Sequence, residues 1–360
     1  MTPNDSPSPL RRLRWPLAAL VLVLSLRSLL PPAVIETYYS RGVFPYLRAG
    51  WDYSLALSPV PLYYVFWTLV VWWVVRRVRA WRRAGNWKRA GMDLLAATLR
   101  SALLLIILFL CGWGFNYGRT AVDEHMGFAR YSPTLDELRT FMHDEAAALA
   151  TLRRSISNDT LALTANDFPE DLEATVRPLI AAALTAEGYP APGRPRARSL
   201  YPRGILLHFS TSGVYWPWAG EGNIDAGLHV LQKPSVIAHE LGHAYGFGDE
   251  GTCSFWAWLA GNQTTDPLLA YAYRLDYWRR LAGKLRQAEP EAYWAWRKDQ
   301  LAPGIRNDLQ AIYDNQALYR DIAPVIRDVT YDAYLRAQGV HDGMLNYGTV
   351  IELVEGYRRR

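Results

Sequence analysis

Ser235-Val-Ile-Ala-His-Glu-Leu-Gly-His-Ala-Tyr-Gly-Phe-Gly-Asp-Glu250 is the stretch on which the reading of the chain turns. It contains His239-Glu240-x-x-His243. On a helix, two histidines four apart lie on one face a turn apart, so both imidazoles can reach one ion. Glu240 then points to the free side of that ion, placed to take a proton from a water that the ion polarises. Pro234 and Ser235 read as helix entry and N-cap, Val236 and Ile237 as an apolar flank, and Gly246 as a terminator with φ > 0. Gly242 costs such a helix about 1 kcal/mol relative to Ala. It is tolerable where another segment packs close to the ligands. The cofactor this pattern implies is one zinc ion.

The chain has 360 residues, half of them hydrophobic, enough for a large core, but the apolar residues crowd into the first third. Three runs approach the roughly 20 apolar residues that span a bilayer, and they predict transmembrane helices at about 15–33, 55–75 and 94–114. The first carries Arg27 near its end, where a long side chain can reach the headgroups. It has a basic start like a signal peptide, but Pro31-Pro32 follows in place of a small-residue cleavage site. The loop at 76–93 holds Arg76, Arg77, Arg79, Arg82, Arg83, Lys88 and Arg89, and the segment before it only Arg41 and Arg48. The arginine-rich side is therefore expected in the cytoplasm. This gives a cytoplasmic tail at 1–14, a three-helix membrane region at 15–115 and an extracytoplasmic domain at 116–360, in a multi-pass protein of the cytoplasmic membrane. The net charge of +5 reads as a topology signal and not as a nucleic-acid patch. Cys111 and Cys253 fall on opposite sides of the boundary, so the outer domain must be stable without a disulfide.

Beyond the aromatic exit Trp113-Gly-Phe-Asn-Tyr117, Thr134-Leu-Asp-Glu137 is a capping box that opens a helix. A second helical pattern covers 170–187 and ends at Gly188. Ala191 to Arg198 reads as an exposed loop, Gly204 to Phe209 as a buried strand, and Ser212 to Trp218 with Ile224 to Leu231 as a strand pair. A strand just before the metal helix can offer an edge on which an extended substrate pairs. Helical patterns rich in Tyr, Trp and Arg follow from Asp266, with a last helix at Thr349 to Tyr357. The isolated His125, His143, His208 and His229 lack partners at ligand spacing and read as structural.

A catalytic zinc needs a third protein ligand and an open position. Asp249 completes His-Glu-x-x-His-x-x-Gly-x-x-Asp, which is similar to the metzincin pattern with aspartate as its last ligand. Glu250 instead begins Glu-x-x-x-Ser on the next helix, which resembles the gluzincin frame; Cys253, in an apolar context, is the weakest of the three candidates. Several segments carry a wider resemblance: 32–45, Trp113-Gly-Phe-Asn-Tyr117, Tyr215-Trp-Pro-Trp-Ala-Gly-Glu-Gly-Asn223, the metal motif, Tyr331-Asp-Ala-Tyr-Leu-Arg336 and Asn346-Tyr-Gly348. Together they look like DUF3810, a family of bacterial three-span membrane proteins with a zinc-metallopeptidase-like His-Glu-Leu-x-His. The resemblance implies His239, His243 and Glu250 as ligands and Glu240 as base. Gly251-Thr252-Cys253-Ser254 stands where Glu-Ala-Asn is usual in that family, so the acid at 252 and the amide at 254 are absent.

The expected fold is mainly α, with three N-terminal transmembrane helices and an α+β zincin-like domain whose small sheet precedes the metal helix. The expected function is zinc-dependent hydrolysis of extracytoplasmic peptides or proteins. Glu240 acts as base, and His341 or Tyr347 is the candidate to hold the oxyanion. Glu221 and Asn223 could line the cleft or form a turn. The alternative is a catalytically impaired metallopeptidase-like receptor or scaffold. Retention of Glu240 speaks against it, because a structural zinc needs a fourth protein ligand and no base. The partners implied are a peptide or protein substrate and the lipid bilayer.

Overall fold

The computed structural model describes residues 9–322 and 348–360, together with 324, 329, 332, 333 and 336–338. Helix α1 covers Arg14–Leu29, and after Pro31 the chain turns by 109° into α2, a continuous helical run at 32–52 with a π-helical middle at Ile35–Val43. Helix α3 is Leu62–Arg82 and α4 is Trp87–Gly112.

The structure corrects the expected three-span membrane region. Among the described residues, one helix, α4, is long and apolar enough to cross a bilayer, or two if the bent α1–α2 pair forms a single span. Helix α1 has 16 residues, which at 1.5 Å per residue reaches roughly 24 Å of the ~30 Å required. In α3 the apolar run stops where Arg76, Arg77, Arg79 and Arg82 continue the same helix, so residues expected in a loop share a helix with the would-be span. Only 17% of the most apolar window of α4 is buried, whereas the core helix of a soluble protein would be mostly covered. By length and composition, these apolar helices point to a membrane association.

The remainder is helical around a small sheet. Helix α5 (Leu135–Ile156) opens with the expected capping box, in which Thr134 and Glu137 satisfy each other's backbone N–H groups. Helix α6 is Leu172–Ala186; then come β1 (Ala197–Leu200), β2 (Gly213–Trp216) and β3 (Glu221–Asp225). The sheet order is β1-β3-β2, with β1 parallel and β2 antiparallel to β3. Thus β1 begins within the last two residues of the expected exposed loop, and the second strand of the hairpin begins earlier than Ile224.

The central strand is polar yet wholly buried, so each charge on it needs a partner. Glu221 Oε2 lies 3.2 Å from Arg198 Nε, and Oε1 accepts the N–H of Tyr63 at 3.1 Å. Asp225 accepts the N–H groups of Gly204, Leu206, Leu207 and Gly227 at 2.7–3.1 Å. That cradle explains why 204–209 is not a strand. Its N–H groups turn onto one carboxylate, Gly204 takes φ +94°, and the segment ends in the 3-10 turn Leu207–Phe209.

Helix α7 (Lys233–Ala244) packs on β3 and against α8 (Glu250–Gly261), and α9 (Pro267–Ala288), α10 (Pro290–Asp299), α11 (Pro303–Ala317) and α12 (Thr349–Tyr357) complete the core. Fully buried Asp308 ties three helices together. It takes Arg153 Nε of α5 at 2.9 Å, Tyr271 Oη of α9 at 2.6 Å and the Leu163 N–H at 2.8 Å. Polar contacts also join α2 and α4 to the site. Arg48 donates to the Gly220 carbonyl at 2.6 Å, Trp51 Nε1 to Ala219 at 2.9 Å, and Trp113 Nε1 to the His243 carbonyl at 2.9 Å.

Candidate metal centre

Helix α7 stops as its sequence requires. Gly246 adopts φ +89°, where an L side chain is strained, and a Cβ there would lie 2.8 Å from Phe44 and 3.0 Å from Asn116. The chain reverses, and Asp249 caps α8 by accepting the Thr252 N–H at 2.7 Å. Gly242 admits this second helix, since a Cβ on it would sit 3.2 Å from Cys253 Sγ.

The reversal brings Glu250 back to the two histidines. Nε2 of His239 and Nε2 of His243 are 3.2 Å apart, and Glu250 Oε2 is 2.9 Å from the first and 3.4 Å from the second. Tetrahedral zinc with ligands at 2.0–2.1 Å requires ligand–ligand edges of about 3.3 Å. The three donors therefore match such an ion in type and in spacing, and they form the group of His, Cys, Asp or Glu atoms among the described residues that could hold a metal. Of the two competing acids, the structure gives Asp249 to the helix cap and Glu250 to the histidines. Cys253 Sγ lies behind the centre, 3.3 Å from His243 Nδ1 and 3.3 Å from the Phe247 carbonyl. Burial pushes its thiol up to about 11, so it stays protonated.

Partners on the far ring nitrogens set the tautomers. His243 Nδ1 is 2.7 Å from the Phe247 carbonyl, which only accepts, so that nitrogen carries a hydrogen and Nε2 can face an ion. Ser254 Oγ lies 3.2 Å from Nδ1 of His239 and leaves its Nε2 for the same task. The residue that departs from the family-like pattern thus still reaches the first ligand.

Without an ion the donors satisfy one another. Burial lowers the His239 pKa, with Glu250 opposing. For His243, burial also pulls downward, but the charge around it, chiefly the Glu250 carboxylate once Cys253 is a thiol, raises the pKa well above the ordinary value. Glu250 would be raised by burial, yet His243 and His239 hold it well below the usual range. Glu240 is different: burial pushes it up to about 8, with His243 lowering and Glu250 raising it, and among the described residues its Oε2 has no hydrogen-bond partner. Its walls are two glycines. A Cβ on Gly213 of β2 would lie 2.6 Å from Glu240 Oε1, and one on Gly222 of β3 would lie 2.7 Å from Glu240 Cβ.

His341 and Tyr347 lie outside the described residues. Glu221 and Asn223 are buried inside β3 and neither line a cleft nor form a turn. His125, His143, His208 and His229 sit elsewhere, against Arg41, Trp296, the Arg320 carbonyl and the Leu231 N–H respectively. The sequence reading missed Gly213, Gly222, the Phe247 carbonyl and Trp113. For Trp113 the available signal was its place at the exit of an apolar run; for the glycines there was none beyond their position in strands.

No curated protein and no solved structure matches this chain. A family model described as "Protein of unknown function (DUF3810)" matches residues 39–354, a span that includes α4, the sheet, α7 and α8. The chain therefore belongs to the DUF3810 family.

Proposed function

We propose that the protein is a membrane-associated, zinc-dependent metallopeptidase acting on peptides or proteins outside the cytoplasm. One observation carries the reading: Glu240, buried and with an Oε2 that has no hydrogen-bond partner among the described residues, stands beside three donors spaced for a single tetrahedral ion. A site built only to hold a structural ion needs a fourth protein ligand and has no use for such a carboxylate.

His239, His243 and Glu250 would hold the ion, which when bound supplies Lewis acidity at a carbonyl and lowers the pKa of a water. Glu240 accepts the proton of the attacking water and hands it to the leaving amine, and its dry pocket keeps it basic enough for both transfers. The edge strand β2 supports a peptide substrate. The Asp225 N–H bonds to the Ser212 carbonyl at 2.9 Å, so by the alternation of an antiparallel ladder Gly213 and Tyr215 turn their backbone groups away from β3. An extended chain can pair there, next to Glu240.

The basic residues Arg76 to Arg89 all precede the apolar part of α4. Under the positive-inside rule this leaves Trp113 and the metal centre on the outer side. The function is tested with purified full-length protein in detergent and casein as substrate. Cleavage abolished by a chelator and restored by stoichiometric zinc supports the assignment. Cleavage indifferent to chelation, or none with one zinc bound, removes it.

A further inference from the structure

A second site lies between α9, α10 and α11, where a half-open cavity of about 330 Å³ is bounded by Asp276, Arg279, Arg280, Arg286, Tyr293 and Tyr313. None of the metal donors lines it. Positions 276, 279, 280, 283 and 286 fall on one face of α9. At the middle of that face Gly283 leaves open space, since a Cβ there would meet nothing within 4 Å.

The charges on this face do not cancel. Arg280 Nε is paired with Asp276 Oδ2 at 3.0 Å. Arg279, next to Arg280 in the chain, and Arg286, nearly two turns further on, have no hydrogen-bond or ion-pair partner among the described residues; the acid whose charge acts on Arg279 is the Asp276 already engaged by Arg280. Near the C-terminus of α9, Arg286 has an ordinary explanation in the helix dipole. Mid-helix Arg279 does not. It is half-buried, and loss of water lowers its pKa, so its charge is held with little solvent and, among the described residues, no counter-charge of its own. The buried Tyr293 and half-buried Tyr313 wall the other side with aromatic surface and hydroxyl groups.

We infer that this cavity binds a small organic anion, its carboxylate or phosphate head on Arg279 and Arg286 and its body against Tyr293 and Tyr313. Guanidinium groups suit both heads because their planar forks bond two oxygens at once. The volume argues for an organic body. A bare phosphate fills only a few times the ~30 Å³ of a water, whereas the cavity falls in the size range of small-molecule sites. The site stands independently of the metal reading and of any hydrolytic activity. It does border the metal centre, because Asp276 and Arg280 also line a small recess that reaches Ser254, the partner of His239.

The test is calorimetric titration of full-length protein in detergent with three probes at constant ionic strength: inorganic phosphate, an N-blocked dipeptide with a free C-terminal carboxylate, and the same dipeptide as its amide. Saturable binding of phosphate, or of the free acid but not the amide, is expected, and the tighter probe identifies the head group. Affinity should fall at least tenfold in Arg279→Gln and in Arg286→Gln, with zinc content unchanged. The second variant, at an exposed position, keeps the test alive should the first not fold. Absence of saturable binding, or equal binding by wild type and a folded variant, overturns the inference.

Discussion

Ser254 stands one helical turn beyond Glu250, and its Oγ lies 3.2 Å from Nδ1 of His239 while Glu250 Oε2 lies 2.9 Å from Nε2 of the same ring. One face of α8 therefore supplies both the third donor and the group that orients the first. Removing such a partner typically costs 10–100-fold in metal affinity. Ser254→Ala is expected to bind zinc about tenfold more weakly or worse, with unchanged circular dichroism, in competition against a calibrated chelator. Unaltered affinity would show that His239 is oriented by packing alone.

Gly213 and Gly222 allow Glu240 its position. With 2.6 Å between a Gly213 Cβ and Glu240 Oε1, 2.9 Å to its Cγ and 3.0 Å to the Asn223 carbonyl, Gly213→Ala must displace the carboxylate end. The expected result is full zinc content with kcat reduced roughly 10²-fold, the scale of a misplaced catalytic group, and a smaller loss of melting temperature than in Gly222→Ala. Gly222→Ala meets Glu240 Cβ and backbone instead, and overpacking of that kind costs about 1–3 kcal/mol. It should lower the melting temperature as well. Equal activity of Gly213→Ala and wild type contradicts the placement.

Gly246→Ala forces an L side chain to φ +89° and against Phe44 and Asn116. Left-handed backbone alone costs on the order of 1–3 kcal/mol. Denaturant unfolding should show at least that loss, and because the turn aims α8 at the histidines, zinc affinity should fall with it. A variant as stable as wild type removes the argument for this turn.

Uptake of metal should be coupled to protons. The His243 pKa is raised in the folded, metal-free protein, so the stability that its protonation adds is complete below the unfolded value of about 6.5 and is lost as pH rises through the raised one. At neutral pH zinc must displace that proton. Calorimetry in two buffers of different ionisation heat should report about one to two protons released per zinc, the first from His243 and the second from the Glu240 carboxyl that burial holds up to about 8 without an ion, with apparent affinity rising with pH. No buffer dependence would mean that His243 is already neutral.

What the sequence made legible was local. The i, i+4 histidines, the glycine that ends their helix and the Thr134–Glu137 capping box each depend on a few adjacent residues, and each was found where expected. The choice between Asp249 and Glu250 was not of that kind. It turns on which acid caps α8, and one residue of offset decides whether a carboxylate points to the Thr252 N–H or to the histidines. The segment 204–209 looks like a strand by composition, yet Asp225, distant in sequence, collects its N–H groups. Conversely β1 begins in a segment that looks like a loop because prolines and arginines fill 191–198, and its Arg198 is paired with Glu221 of the neighbouring strand. In the membrane region, counting apolar residues finds α4 but overcounts spans, because α1 stops short and α3 carries its arginines within the same helix.

The most direct test compares zinc stoichiometry and peptide cleavage in wild type, Glu240→Gln, Glu250→Gln and Asp249→Asn, all full-length in the same detergent. The account predicts that Glu240→Gln keeps one zinc and loses about 10²–10⁴-fold in kcat, the range of a general base. Glu250→Gln should lose the metal, and Asp249→Asn should keep both metal and activity. Wild-type cleavage by metal-loaded Glu240→Gln, or zinc retained in Glu250→Gln and lost in Asp249→Asn, contradicts it.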